Sequence, residues 1–191
     1  RTDLSLSVAR SHCRATAFGP DSDLVLITGG EGGEGPVAPV ELFYGGDFIP
    51  WVVEGSGAED FLHTPRMNHS ALALDGGVLV FGGDDGQDSL DAPELFFYGG
   101  GLGTGMFSLG VSSAPPAHVG RRGQVAALLG TGRVLVAGGE QLVDGQPILS
   151  DAVELLQRQA GSQELSYTEL PALPDSRSMS AWCILPGGGI L

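Results

Sequence analysis

The sequence predicts an all-β fold in which one four-stranded unit is used three times, and three observations predict it. Segments opening at Arg10-Ser11-His12, Arg66-Met67-Asn68-His69 and Arg122-Gly123-Gln124 each lead into apolar runs. Those runs close on a pair of glycines, Gly29-Gly30, Gly82-Gly83 and Gly138-Gly139. A third shared pattern follows each pair: Val40-Glu41-Leu42, Pro93-Glu94-Leu95 and Val153-Glu154-Leu155. The interval between copies is about 55 residues, a period that marks a repeat architecture. Short runs rich in Val, Leu and Ile, bounded by Gly, Pro and Asp, are strand signals.

Taken in order, Leu4-Ser5-Leu6-Ser7-Val8 alternates and reads as a strand with no unit before it. The first unit covers residues 10–53, with runs at Ala15–Phe18, Leu24–Thr28 and Val40–Leu42 and a turn at Pro20-Asp21-Ser22. The second covers 66–111, with strands expected at Ser70–Leu74, Val78–Phe81, Glu94–Tyr98 and Met106–Val111. Its first two strands meet at Asp75-Gly76, a hairpin dipeptide. The third covers 122–170 and turns at Gly130-Thr131-Gly132. Asp151–Gln159 carries a local helical pattern, but Val153-Glu154-Leu155 falls where a third strand belongs, so the repeat assigns a strand. A fourth copy opens at Arg177, and 179–191 reads as its first strands. Joining both termini would make a fourth unit; a piece of a larger assembly is the favoured expectation.

A four-stranded unit of this kind cannot bury both faces alone, so neighbours must stack. Second strands buried on both faces explain the continuous apolar runs at Val78–Phe81 and Val134–Ala137. The pattern resembles the kelch repeat, the four-stranded blade of a β-propeller. The residues that carry the likeness are Arg10 with His12, Arg66 with His69, the double glycines, and the spaced Tyr44 and Trp51 of the first unit. Leu128–Gly139 looks most like kelch-type proteins of bacteria, often secreted or attached to the cell envelope. The resemblance, which extends to galactose-oxidase-like central propellers, implies three complete blades with partial blade strands at both termini. It implies a non-catalytic module that binds or scaffolds a protein partner or other subunits of an assembly. The alternative it offers is a propeller enzyme such as a sugar mutarotase or a radical copper oxidase, which needs Tyr, His and Cys around one metal.

Charge narrows the field further. The chain holds 23 acidic residues against nine cations, all of them arginine, for a net charge of −14. Phosphate neutralisation needs clustered cations, so nucleic acid is excluded as a partner. Without lysine there is no Walker A loop and no Schiff base. No apolar run is long enough to span a membrane. Two cysteines, Cys13 and Cys183, make neither a disulfide scaffold nor a thiolate zinc site. Gly-x-Ser-x-Gly, His-Glu-x-x-His and Cys-x-x-Cys are all missing, and no catalytic residue is assigned.

What repeats is architectural, because a site needs to occur once. On that rule His12, His69, Glu41, Glu94 and Glu154 are structural, and the recurring Arg and Glu form charge-assisted pairs. The loops after the double glycines vary, and variable loops on a rigid scaffold are where binding residues concentrate. They carry Glu31, Glu34, Asp84, Asp85, Asp88, Glu140 and Asp144, the expected interaction surface. Such a rim would attract a cationic segment; calcium is the metal its hard oxygens would suit, and no other cofactor is expected. Arg10, Arg66, Arg122 and Arg177 lie at strand entrances, and Arg66 and Arg122 join the candidate surface as carboxylate binders.

Overall fold

A computed structural model of the chain describes residues 5–19, 24–44, 47–50, 62–74, 77–97, 111–113, 117–130, 132–158 and 165–179. The described residues are all-β, in sixteen strands. The first sheet contains β1 (Arg14–Phe18), β2 (Leu24–Thr28), β5 (Glu41–Tyr44) and β6 (Asp47–Pro50) in that order, with the short hairpin β3 (Glu31–Gly32) and β4 (Gly35–Pro36) between its inner pair. The second runs β7 (Ser70–Leu74), β8 (Gly77–Phe81), β9 (Glu94–Phe97) and β10 (Val111–Ser113). The third runs β11 (Val125–Leu128), β12 (Arg133–Ala137), β15 (Val153–Arg158) and β16 (Leu165–Leu170). Between its middle strands stands a second hairpin, β13 (Glu140–Val143) with β14 (Gln146–Leu149). Every pairing is antiparallel, and each sheet is a simple meander.

The core lies between consecutive sheets. Side chains alternate across a strand, so β8 sends Val78 and Val80 toward the first sheet, where they pack with Leu24, Leu26, Leu42 and Phe96. Its intervening residues, Leu79 and Phe81, pack with Val134, Val136 and Leu156 of the third sheet. All five residues of β8 are buried in consequence. The helical reading of Asp151–Gln159 loses to the repeat, because β15 is held on both sides by β12 and β16.

A hydrogen-bonded spine joins the sheets and fixes the repeat's alignment. The N–H groups of Gly30, Gly83 and Gly139 donate to the carbonyls of Arg66, Arg121 and Arg177 at 2.8, 2.9 and 2.7 Å. Two residues after each of those arginines, and after Arg10, the backbone turns left-handed: His12, Asn68, Gly123 and Met179 have φ of 53, 55, 60 and 52°. The third unit therefore begins at Arg121, one residue before the Arg122 expected from sequence. His12 is likewise the counterpart of Asn68; His69 corresponds to Cys13 and Gln124. Glycine is required at the first member of each pair. Gly82 has φ +63°, and a Cβ there would collide with the Arg121 carbonyl and the Gln124 amide.

Ser5–Val8 form no strand, contrary to expectation. They are the leader of the first Arg, equivalent to the residues before Arg66 and Arg121, and Ser7 gives its N–H to a carboxylate instead of a ladder. The expected strands at Met106–Gly110 and 180–191, the turns at Pro20-Asp21-Ser22, Asp75-Gly76 and Thr131, and Trp51 and Cys183 lie outside the described residues. Among the described residues no helix is long and apolar enough to cross a membrane.

Candidate functional site

Two layers of charge sit at the double-glycine end of the sheets. The inner layer is a socket built three times. Arg10, Arg66 and Arg121 each pair with the glutamate of the third strand in their own sheet, Glu41, Glu94 and Glu154. The first two contacts measure 2.6 Å, and both partners of every pair are at most a few per cent exposed. Each guanidinium also reaches three carbonyls. For Arg66 these are Thr64, Gly82 and Ala92; for Arg121 they are Val119, Gly138 and Ala152. Arg10 uses Val8, Gly29 and Pro39. Each glutamate in turn accepts a backbone N–H from three residues before its arginine: Ser7, His63 and His118. Burial pulls the Arg66 and Arg121 guanidinium pKa values down, Arg121 to about 10, with the Glu94 carboxylate opposing the shift at Arg66. At about 10, Arg121 stays charged at neutral pH.

These sockets change the reading of the sequence-predicted cations. Arg66 is wholly buried with its donors engaged, so it leaves the candidate surface. His118 supplies a backbone group that Ser7 and His63 supply elsewhere; only its half-exposed ring, near Glu169 and edge-on to Tyr167, is particular to it. Arg177 shares the carbonyl role of Arg66 and Arg121 but is half-exposed, with Asp175 at 3.9 Å as its ion pair.

The outer layer follows directly on the glycine pairs. Glu31, Asp84 and Glu140 all occupy the position after the second glycine, bridged by backbone to Ser11, Met67 and Arg122. Three of the seven acids expected to vary between units thus repeat. Asp84 has no exposure: it accepts from the Asn68 amide at 2.9 Å and the Gly86 N–H at 3.2 Å, and lies 3.4 Å from Arg122. Arg122 bonds Glu140 at 2.8 Å, so it joins an acid of its own unit to one of the preceding unit. Arg122 is a clasp between units, occupied by two carboxylates. Glu31 is half-exposed and 3.4 Å from the His12 ring.

The remaining acids, Glu34, Asp85, Asp88 and Asp144, are exposed. Asp85 Oδ1 accepts the N–H groups of Gln87 and Asp88 at 2.9 and 2.8 Å, and these bonds hold its carboxyl below the usual range. Among the described residues no three His, Cys, Asp or Glu side chains converge as a metal-binding group. Cys13 is a free thiol.

His69 is buried between the first two sheets, its Nε2 2.9 Å from the Thr28 hydroxyl. Burial first, then the charges of Arg66 and Arg14, push its pKa down to about 3, so the ring is neutral. Sequence reasoning also passed over β13–β14. Its tip, Val143-Asp144-Gly145-Gln146, holds an Asp-Gly dipeptide with positive φ at both residues (51 and 72°), the signature of a two-residue hairpin. The Asp144-Gly145 dipeptide is the sequence signal that marks this hairpin within the loop.

No family model matches the chain, and no curated protein matches it.

Proposed function

We propose that this chain is part of a kelch-type β-propeller acting as a non-catalytic binding or scaffolding module, with the exposed loops after the double glycines as its interaction surface. The observation that carries the reading is how the charges divide. The Arg–Glu sockets and the Arg122 clasp absorb their carboxylates internally, while Glu34, Asp85, Asp88 and Asp144 stand exposed on the same end. Three consecutive meanders, each packed on the next, support the blade reading. With a net charge of −14 the surface favours a cationic protein segment, and salt screens the attraction. Calcium is a weaker candidate for the same oxygens.

The test compares the wild-type chain with a combined Asp85→Asn, Asp88→Asn and Asp144→Asn variant as bait in extracts of cells that express it. Partners identified by mass spectrometry should be recovered by the wild type, lost by the variant and lost by the wild type at high salt. A calcium titration by calorimetry runs in parallel. Equal recovery by both baits, with no calcium heat, would mean the rim only keeps the chain soluble.

A further inference from the structure

The third unit carries something the other two lack. After Gly30 the chain makes a hairpin of two-residue strands, and after Gly83 it makes a loop. After Gly139 it makes β13–β14, with four residues in each strand. A two-stranded hairpin is marginal by itself in water. This one is held at its base: Leu142 is buried and its N–H donates to the Ser89 hydroxyl at 2.7 Å. Glu140 is clasped by Arg122, and Ser150 donates to the Gly139 carbonyl at 2.9 Å. Along the hairpin, Val143, Ile148 and Leu149 are 47, 53 and 52% exposed, half of the large apolar side chains that stand exposed among the described residues.

Beside the tip lies an open groove of about 380 Å³ lined by Gly86, Gln87 and Asp88 on one wall and Asp144 and Gly145 on the other. Among the described residues neither carboxylate is in an ion pair. The register Gln141↔Ile148 and Val143↔Gln146 puts Val143 and Ile148 on one face of the hairpin, and exposed aliphatic side chains rimmed by charge mark an interaction site. Resting on the binding-module reading above, we propose that β13–β14 is the docking element, and that its occupant is a cationic segment of a partner protein bearing aliphatic side chains. Its aliphatic residues cover Ile148 and Val143, and its Lys or Arg enters the groove between Asp88 and Asp144. Recognition runs through side chains. Pro147 has no N–H, so β14 lacks a donor mid-strand and is a poor template for an added strand. An anionic bilayer would be repelled by the same charge that draws the cationic segment.

The experiment measures fluorescence anisotropy of a short labelled peptide alternating arginine and leucine, with a glutamate–leucine peptide as control. Wild type should bind the first and not the second. Ile148→Ser and a combined Asp88→Asn and Asp144→Asn variant should each weaken binding about tenfold, the loss of one buried aliphatic group or of the charge pairing. Leu128→Ser, an exposed leucine on β11, should not change it, and thermal melts confirm that each variant folds. Loss with the aspartate variant but not with Ile148→Ser overturns the hairpin's role and leaves the acidic-surface reading standing. No loss with either overturns both. Binding to phosphatidylcholine–phosphatidylserine vesicles that depends on Ile148 overturns the assignment of a protein occupant.

Discussion

Arg121 and Arg122 are neighbours in the chain and belong to different worlds. Arg121 is 2% exposed, closed into a socket of one carboxylate and three carbonyls within its own sheet. Arg122 is 21% exposed and spans two units by way of Asp84 and Glu140. A buried pair that loses one partner leaves an uncompensated charge, at a cost of about 3–5 kcal/mol. A partly exposed pair is worth far less, because water replaces the lost partner. The same contrast separates the buried inner layer from Glu34, Asp85, Asp88 and Asp144, the exposed acids that we propose as the surface for a ligand.

The comparison can be broken or sharpened by substitution. The largest effect should come from Glu94→Ala, which strands Arg66 in the interior; urea denaturation should show a loss of about 3–5 kcal/mol. Gly82→Val follows at roughly 1–3 kcal/mol or more, because its φ of +63° strains a branched residue and its Cβ meets the Arg121 carbonyl. A melt that barely moves would mean the spine can slide.

His69 gives a pH test of the same interior. Its folded pKa of about 3 lies below the 6.5 of the unfolded chain, so the fold favours the neutral ring. Above pH 6.5 neither state is protonated and the group is silent. As pH falls through 6.5 the unfolded state takes up the proton first, so stability drops by about 1.4 kcal/mol per pH unit until roughly pH 3. Between pH 7 and pH 5 the wild type should lose about 2 kcal/mol more than His69→Gln, which copies Gln124. At the small end, Asp85→Asn and His118→Ala should each stay within about 0.5 kcal/mol of wild type, since both side chains are largely exposed.

Much of this was legible in the sequence. The double glycines and the Val-Glu-Leu pattern locate β2, β8 and β12 and the glutamates, because close backbone approach admits only glycine and because buried strands read as unbroken apolar runs. The pairing of a recurring arginine with a recurring glutamate was legible in kind but not in register. Two arginines stand side by side, and the left-handed residue that follows is histidine, asparagine, glycine or methionine, a shared conformation without a shared residue type and so invisible to pattern matching. The loops that carry Glu31, Asp84 and Glu140 vary between units, which hides the one position that these three acids share. Burial of Asp84 depends on Asn68 and Arg122, which only the packing of one unit on the next brings together.

The most direct test of the division between socket and surface is a pair of denaturation curves, for Arg121→Ala and Arg122→Ala. The socket account predicts that Arg121→Ala lowers stability by about 3–5 kcal/mol and that Arg122→Ala lowers it by less than half as much. If Arg122→Ala proved the more damaging, the repeat would begin one residue later and the inner layer would not be the structural unit described.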